Sequence, residues 1–266
     1  MSNLAYFPLA DDLIEDLDAA AIWIYDEDPA YPEEKIQNIP MADTARATIP
    51  SGGVVVRLNF GENRIPRFWA FLNHNITAGN WIIRSYDDAF ITPSGEEQTV
   101  IYRALDTKHY YANWTEKQYW EIDFCGCSFA ESFWEMGKIV CGADITEFTK
   151  QFSPGIRRGL GFDNIHNETE FGVIWSYIKR ANINYLGFSW NFNLRLPLLA
   201  ELEDFLATTY GGAYPAIIIP DNTGRADLYY MKNQDEIRWN EELTRAVIAN
   251  CSIDFKELSR GKVQEA

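Results

Sequence analysis

The residue types that most often carry catalysis are sparse in this chain and form no recognised pattern. The sequence contains no GxGxxG, P-loop, GxSxG or HExxH motif, so the usual phosphate-binding, nucleophile and zinc signatures are absent. Its three histidines, His74, His109 and His166, leave few centres for histidine-dependent acid–base chemistry. The many acidic residues leave open a pair of carboxylates suited to glycoside hydrolysis, but the sequence does not single out any particular pair. We expect no catalytic residue, no cofactor and no enzymatic activity.

An aromatic cluster is the strongest candidate for binding. Tyr110, Tyr111 and Trp114 lie in one loop, between Lys108 and Lys117. Aromatic rings beside amide groups stack on sugar rings, and amphipathic aromatics also anchor protein interfaces. The same side chains would equally close the open end of a β-sandwich and be buried. Glycan binding, a protein interface and core packing are therefore three open interpretations of this loop.

A polar triplet, Asn73-His74-Asn75, follows an apolar strand and precedes a turn. His74 has the chemistry of a general base or a metal ligand. We favour a structural corner motif instead, in which the three side chains satisfy backbone groups where a strand turns.

Two further groups have the chemistry of metal ligands. Asp87 and Asp88 end another strand and are weak candidates for calcium, which takes oxygen ligands from loops. An Asx-type turn explains them with fewer assumptions, so we expect no metal. Cys125 and Cys127 share one strand face but lack the partner pair of a zinc site, so we expect free thiols.

The elements that would position these residues are mainly β. From residue 50, short runs in which apolar and polar residues alternate are separated by turn signals, which predicts an antiparallel β-sandwich (a jelly roll) over 50–148. In one such run, the apolar residues Trp120, Ile122 and Phe124 alternate with the acidic residues Glu121 and Asp123. Residues 149–266 predict an α+β domain with long strands and one packed helix that begins at a proline. Residues 1–49 are acidic and contain prolines, which predicts an N-terminal arm.

Composition excludes several classes of protein. With 47% apolar and 15% aromatic residues the chain can bury a substantial core. Its formal charge of −16 opposes nucleic-acid binding, which needs clustered cations to neutralise phosphates. The sequence contains no apolar run of the length that spans a membrane, and its N-terminal residues lack a basic segment followed by an apolar run, so we expect no membrane insertion and no signal peptide.

Several segments together resemble one family. Residues 68–77, 81–85, 87–90, 119–123 and 136–142 are similar to segments of uncharacterised structural proteins of tailed bacteriophages that carry a galactose-binding-like (discoidin-type) jelly roll. The order of elements in the C-terminal half resembles the tail-associated domain of those proteins. No defined sugar pocket of the discoidin type can be matched residue by residue.

The resemblance implies a structural virion protein at the tail tip, the baseplate or a fibre attachment point. Its expected partners are copies of itself, in a ring or another homo-oligomer, and other tail proteins. Its expected location is the virion tail, after synthesis in the host cytoplasm. The alternative is a carbohydrate-binding module that contacts glycans on the host surface.

Overall fold

A computed structural model describes residues 4–15, 17–18, 21–37, 44–49, 53–102, 106–149, 157–168, 174–194, 196–210, 214–219, 229–233, 238–242 and 247–257. The strands are, in chain order, β1 (Ala5–Pro8), β2 (Ile22–Ile24), β3 (Ala45–Thr48), β4 (Val55–Arg64), β5 (Phe68–His74), β6 (Ile76–Tyr86), β7 (Pro93–Ile101), β8 (Asp106–Tyr110), β9 (Lys117–Asp123), β10 (Cys127–Phe129), β11 (Phe133–Gly142), β12 (Thr146–Glu147), β13 (Arg157–Glu168), β14 (Ile174–Leu194), β15 (Ala216–Ile219), β16 (Tyr229–Asn233), β17 (Arg238–Glu242) and β18 (Val247–Glu257). The α-helix of the described residues, α1 (Leu196–Thr208), lies between β14 and β15. The fold is therefore mainly β, as the sequence predicts.

The described residues divide into two compact units. The first runs from Asp11 to Thr146, and the second combines residues 4–10 with the described residues from Glu147 onward. Both units are built from antiparallel strand pairs. No described helix is long and apolar enough to cross a membrane.

The first unit is a sandwich of two sheets. The six-stranded sheet has the order β10-β6-β9-β4-β2, with β7 beside β6, and the four-stranded sheet has the order β3-β11-β5-β8. Side chains that alternate inward along these strands fill the space between the sheets. Burying an aromatic side chain of this size stabilises the fold by roughly 1.5–3 kcal/mol. Large aromatic side chains that are completely buried in this core are Trp69, Phe71, Trp81, Trp120, Phe124 and Trp134.

The described residues of segment 1–49, for which the sequence predicts an arm, contribute three strands to sheets of the two units. Strand β1 pairs with β15 of the second unit, with Ala5 opposite Ile219, whereas β2 and β3 are edge strands of the two sandwich sheets. Their inward-facing apolar residues, such as Ile22 and Ala45, are fully buried. The acidic and proline-rich stretches around them hide these short apolar runs, which is why composition alone suggests an arm.

The second unit is an α+β structure. Its eight-stranded sheet has the order β12-β1-β15-β16-β18-β14-β13, with β17 beside β18. The helix α1 begins at Leu196, one residue before Pro197, in agreement with the predicted start. Leu202 and Phe205 of the helix share one apolar cluster with side chains of β14, β15 and β18, so the helix packs on the sheet as expected.

The longest strand differs from its predicted form. The sequence indicates two separate strands around residues 171–180 and 186–196, but β14 is continuous from Ile174 to Leu194. Strand β13 pairs along β14 from Ile174 to Gly187, which includes the residues between the two predicted strands. Backbone pairing therefore keeps the intervening residues extended.

Candidate binding face of the sandwich

One row of directly paired residues crosses the outward face of the six-stranded sheet. Trp23 lies opposite Arg57, Arg57 opposite Glu121, Glu121 opposite Arg84, and Arg84 opposite Glu97. Because side chains alternate along a strand, these five residues project away from the core. We call them the outer-face row.

Glu121 lies at the centre of the outer-face row, between Arg57 and Arg84. Its Oε2 accepts a hydrogen bond from Arg57 Nε at 2.8 Å, and its Oε1 accepts from Arg84 Nη1 at 3.1 Å and from the Tyr86 hydroxyl at 3.0 Å. Arg84 Nη2 also donates to Asp123 Oδ2 at 3.1 Å. Glu121 is buried although it points outward, because its partners cover it.

The charges of this network stabilise one another. Partial burial works against the charged form of Arg57, but the hydrogen bond and the charge of Glu121 outweigh it, so the pKa of this guanidinium is raised. Burial, and then the negative charge of Glu121, raise the pKa of the Tyr86 hydroxyl. The Tyr86 hydroxyl therefore stays protonated and donates a hydrogen bond to Glu121. Both arginines present fixed, charged donors at the surface.

Aromatic rings border Arg57 on two sides. Its Cζ lies 5.3 Å from the centroid of the Tyr25 ring and 5.0 Å from that of Phe90, and its Nη1 donates to the Tyr25 hydroxyl at 2.7 Å. The Trp23 ring meets Phe90 edge-on at 5.7 Å. Trp23 and Tyr25 remain 40% and 54% exposed. Flat apolar surfaces thus lie beside ordered polar groups.

The loop 87–92 positions Phe90, and Asp88 organises this loop. Asp88 Oδ1 accepts hydrogen bonds from the backbone nitrogens of Ile91 and Thr92 at 3.0 and 2.7 Å, and its Oδ2 accepts from Thr92 Oγ1 at 3.0 Å. These bonds, the backbone bond from Thr92 first, lower the pKa of Asp88. Phe90 adopts a left-handed backbone with φ of 63°, and its ring packs against Tyr119 at 5.3 Å.

The two weak calcium candidates are thus engaged with protein groups. Asp88 forms the Asx-type turn just described, and Asp87 forms an ion pair with Lys117. Within the described part of the chain, no three His, Cys, Asp or Glu side chains are grouped closely enough to hold a metal ion.

The aromatic loop does not present its three candidates on one surface. Trp114 is only 3% exposed, and its ring packs against Tyr111 at 5.1 Å and Trp120 at 5.0 Å. Tyr110 is 44% exposed and donates its hydroxyl to Asp144 Oδ1 at 3.0 Å. Trp114 is therefore a core residue, contrary to a surface role in binding, and Tyr110 is the most accessible of the three.

The triplet Asn73-His74-Asn75 lies at a corner between β5 and β6. Asn73 has a positive φ of 54°. Asn75 Nδ2 donates to the carbonyl oxygen of Phe133 at 2.7 Å, and its Oδ1 accepts from the backbone nitrogen of Glu135 at 3.0 Å. His74 is buried, with its ring 6.0 Å from that of Trp81. Of the three side chains, Asn75 makes the backbone hydrogen bonds that the predicted corner motif requires.

The cysteines of the first unit are free thiols. Burial raises the pKa of Cys125 to about 11 and that of Cys127 to about 12, and the nearby carboxylate of Asp123 adds to both shifts. Both thiols therefore stay protonated at neutral pH, the form that neither attacks electrophiles nor binds metals well.

No family model matches the sequence, and no curated protein is significantly similar to it. Solved structures do resemble about half of the chain. A family 32 carbohydrate-binding module of C. perfringens NanJ, in complex with galactose, is 10% identical, with 52% of this chain and 98% of that one covered and a TM-score of 0.38. A fucose-binding module of Streptococcus pneumoniae is 6% identical, with 50% and 95% covered and a TM-score of 0.40. The lectin domain of lectinolysin, in complex with Lewis B antigen, is 4% identical, with 50% and 96% covered and a TM-score of 0.41.

Proposed function

We propose that the sandwich unit is a non-catalytic carbohydrate-binding module, and that its binding site is the outward sheet face around Trp23 and Arg57. The observation that supports this most is the outer-face row, in which an exposed indole stands beside a fixed arginine–glutamate–arginine array. Sugars combine apolar C–H faces with hydroxyl groups that both donate and accept, so they need both kinds of surface.

The polar part of this face is organised before any ligand arrives. Glu121 is held by three donors, and Arg57 is held between the rings of Tyr25 and Phe90. A ligand therefore meets side chains that have already lost most of their conformational freedom, which lowers the entropic cost of binding.

The charge balance favours a neutral glycan over an acidic one. Arg57 already pairs with Glu121, and Arg84 pairs with both Glu121 and Asp123. An anionic sugar would have to compete with these carboxylates, and it would approach a chain whose formal charge is −16. Hydroxyl groups, in contrast, can share the remaining N–H donors and carboxylate lone pairs.

A glycan array with neutral and acidic sugars tests this proposal. We expect the wild-type chain to bind neutral glycans, and we expect Trp23→Ala to lose at least tenfold in affinity. Tyr110→Ala is the matched control, because Tyr110 is an exposed aromatic of similar accessibility, 44% against 40%.

Two outcomes would contradict the proposal. One is the absence of any glycan signal from folded wild-type protein. The other is binding that survives Trp23→Ala but is lost in Tyr110→Ala, which would move the site to the aromatic loop.

A separate observation in the second unit favours a second candidate function, assembly into a larger particle. Strand β13 pairs with β14 from Ile174 to Gly187, whereas β18 pairs with β14 only from Tyr185 onward. Within the described residues, the hairpin formed by residues 160–168 and 174–184 therefore has no third strand. We call it the hairpin ribbon.

The hairpin ribbon favours pairing between chains. A two-stranded ribbon is marginally stable in water by itself, and free strand edges pair readily with other strands. We propose that this ribbon contacts another copy of the chain, as expected for a structural protein of a phage tail that forms a ring and contacts other tail proteins. Its location would then be the virion tail.

Mass photometry of the chain and of a variant with a shortened ribbon tests assembly. Replacing residues 163–180 by an Asn-Gly turn should convert oligomers to folded monomers, whereas Trp23→Ala should leave the oligomers unchanged. A monomeric wild-type chain at micromolar concentration, or its absence from imaged tailed-phage particles, would count against this role.

A further inference from the structure

A buried lysine and a buried aspartate meet inside the sandwich unit, away from the candidate binding face. Lys138 of β11 and Asp12 both have fully buried side chains, and Lys138 Nζ lies 3.3 Å from Asp12 Oδ2. A second carboxylate, Glu15 Oε2, lies 3.9 Å from the same nitrogen. Lys138 Nζ also donates a hydrogen bond to the carbonyl oxygen of Gln37 at 2.6 Å.

The two oxygens of the Asp12 carboxyl group face different partners, one the backbone N–H groups and the other the lysine. Its Oδ1 accepts hydrogen bonds from two backbone N–H groups, those of Ile14 at 3.1 Å and Cys141 at 3.0 Å. Its Oδ2 faces the lysine nitrogen. Two backbone donors on one carboxyl oxygen are the arrangement that stabilises negative charge on that oxygen during acyl transfer.

The environment also favours the reactive form of this carboxyl group. Burial raises the pKa of Asp12 to about 6, against the opposing effect of the Lys138 charge. A fraction of the molecules therefore carries the neutral acid near neutral pH, which is a far better electrophile than the carboxylate. Burial also raises the pKa of the neighbouring Cys141 thiol, so this thiol stays protonated and does not compete as a nucleophile.

We propose that Lys138 and Asp12 condense to form an intramolecular isopeptide bond, with Glu15 as the proton carrier. Glu15 first takes a proton from the Lys138 ammonium, and the free Nζ then attacks Asp12 Cγ. Negative charge develops on Oδ1, where the N–H groups of Ile14 and Cys141 stabilise it. Glu15 returns a proton to Oδ2, which leaves as water while the second Nζ proton is released.

This step balances without any further reactant. The Nζ–Cγ bond forms and the Cγ–Oδ2 bond breaks. The Lys138 ammonium and the neutral Asp12 acid become one amide, one water molecule and one proton, and this released proton offsets the one that the Asp12 carboxylate took up from solvent. Neither group is oxidised or reduced. Exclusion of solvent favours the amide over its hydrolysis, and the fixed contact replaces the bimolecular encounter of two reactants. The Glu15 side chain is a quarter exposed, which gives the released water a route out.

The bond would fasten the N-terminal part of the sandwich unit to the middle of β11. Asp12 precedes β2, and Lys138 lies in the four-stranded sheet between β3 and β5. A cross-link between segments so far apart in sequence restricts the unfolded chain strongly, so it stabilises the folded state. The inference is independent of any ligand of the outward face.

Mass spectrometry of the purified full chain tests the proposal directly. We expect an intact mass 18 Da below the value calculated from the sequence, since one water molecule is lost. Trypsin does not cleave after an acylated lysine, so peptide 118–150 should remain uncut at Lys138 and be joined to peptide 1–35. Fragmentation should place the link between Asp12 and Lys138.

Three variants separate bond formation from folding. Lys138→Met and Asp12→Ala remove one reacting partner each, and Glu15→Gln keeps both partners but removes the proton carrier. All three should show the full calculated mass, and circular dichroism should show that Glu15→Gln is folded. Asp18→Asn, a carboxylate of the same segment, is the matched control and should keep the 18 Da loss.

The proposal is overturned if folded wild-type protein has the full calculated mass after prolonged incubation. It is also overturned if a loss of 18 Da maps to another pair of residues, or if it persists in Lys138→Met.

Discussion

Arg57 Nε lies 2.8 Å from Glu121 Oε2 across the β4–β9 pair, and the two residues stand directly opposite each other in the register. This contact connects the aromatic side of the outward face, through Tyr25 and Phe90, to the polar side at Arg84. The candidate site is therefore one connected network. Changing its central carboxylate should affect both folding and binding.

Glu121→Ala should destabilise the sandwich unit by about 2 kcal/mol, because it removes the carboxylate that Arg57 and Arg84 share from either side. We place the value below that of a fully buried pair because both arginines are about a quarter exposed to solvent. Glu121→Gln should lower the free energy of unfolding by less, since the amide oxygen still accepts a hydrogen bond. Urea denaturation checks both values, and equal stability of Glu121→Ala and wild type would show that the network is only a surface feature.

Trp114→Ala should lower stability by about 3–5 kcal/mol, the usual cost of removing a large aromatic side chain from a core. Trp114 packs against Tyr111 and Trp120 with only 3% of its surface exposed. Tyr110→Ala should stay within about 0.5 kcal/mol of wild type, as is typical of surface changes. Thermal denaturation distinguishes the two, and a harmless Trp114→Ala would reopen a surface role for this tryptophan.

Asp88→Ala should loosen the loop 87–92 without unfolding the sandwich unit. The change removes three hydrogen bonds that fix the backbone on either side of Phe90. We expect faster hydrogen exchange at residues 90–92 and weaker glycan binding, with the melting temperature of the sandwich unit almost unchanged.

Calcium should not stabilise the loop 87–92, because both Asp88 carboxylate oxygens already accept hydrogen bonds from Ile91 and Thr92. Adding calcium or a chelator should leave the melting temperature of wild type unchanged. A calcium-dependent increase that disappears in Asp88→Ala would instead identify a metal site at Asp87 and Asp88.

His109 should make the sandwich unit sensitive to mild acid. Burial lowers the pKa of His109 in the folded state, whereas the unfolded chain titrates near 6.5. As the pH falls below about 6.5, the unfolded state binds a proton that the folded state still excludes, so stability falls. His109→Gln should lose this part of the pH dependence. The urea midpoints of both proteins at pH 7.5 and pH 5.5 measure this effect. An equal change in midpoint between the two pH values for wild type and His109→Gln would refute the prediction.

The sequence predicts the elements of this fold better than it predicts their arrangement. Alternation at Trp120 and Ile122 identifies β9, and Pro197 identifies the start of α1. These signals are local, because they depend on the period of a strand or on the first turn of a helix. The burial of β2 and β3 depends on partners far along the chain, so composition alone suggests an arm there.

The sequence does not predict most of the candidate site, because the site depends on strands that are far apart along the chain. Glu121 is visible as a carboxylate behind an apolar strand face, but nothing local places Arg57 and Arg84 on either side of it. Only the register of β4, β9 and β6 does so. Trp114 shows why three interpretations of the aromatic loop stay open in the sequence, since a cluster of aromatics has the same pattern whether its rings face solvent or core.

The most direct test of the proposed binding face is a titration with a neutral glycan followed by the indole N–H signals of the nine tryptophans. We predict that the Trp23 signal shifts with ligand concentration, that the buried Trp114 and Trp120 signals stay in place, and that the shifts vanish in Arg57→Ala. A glycan that binds while the Trp23 signal does not move would contradict the account.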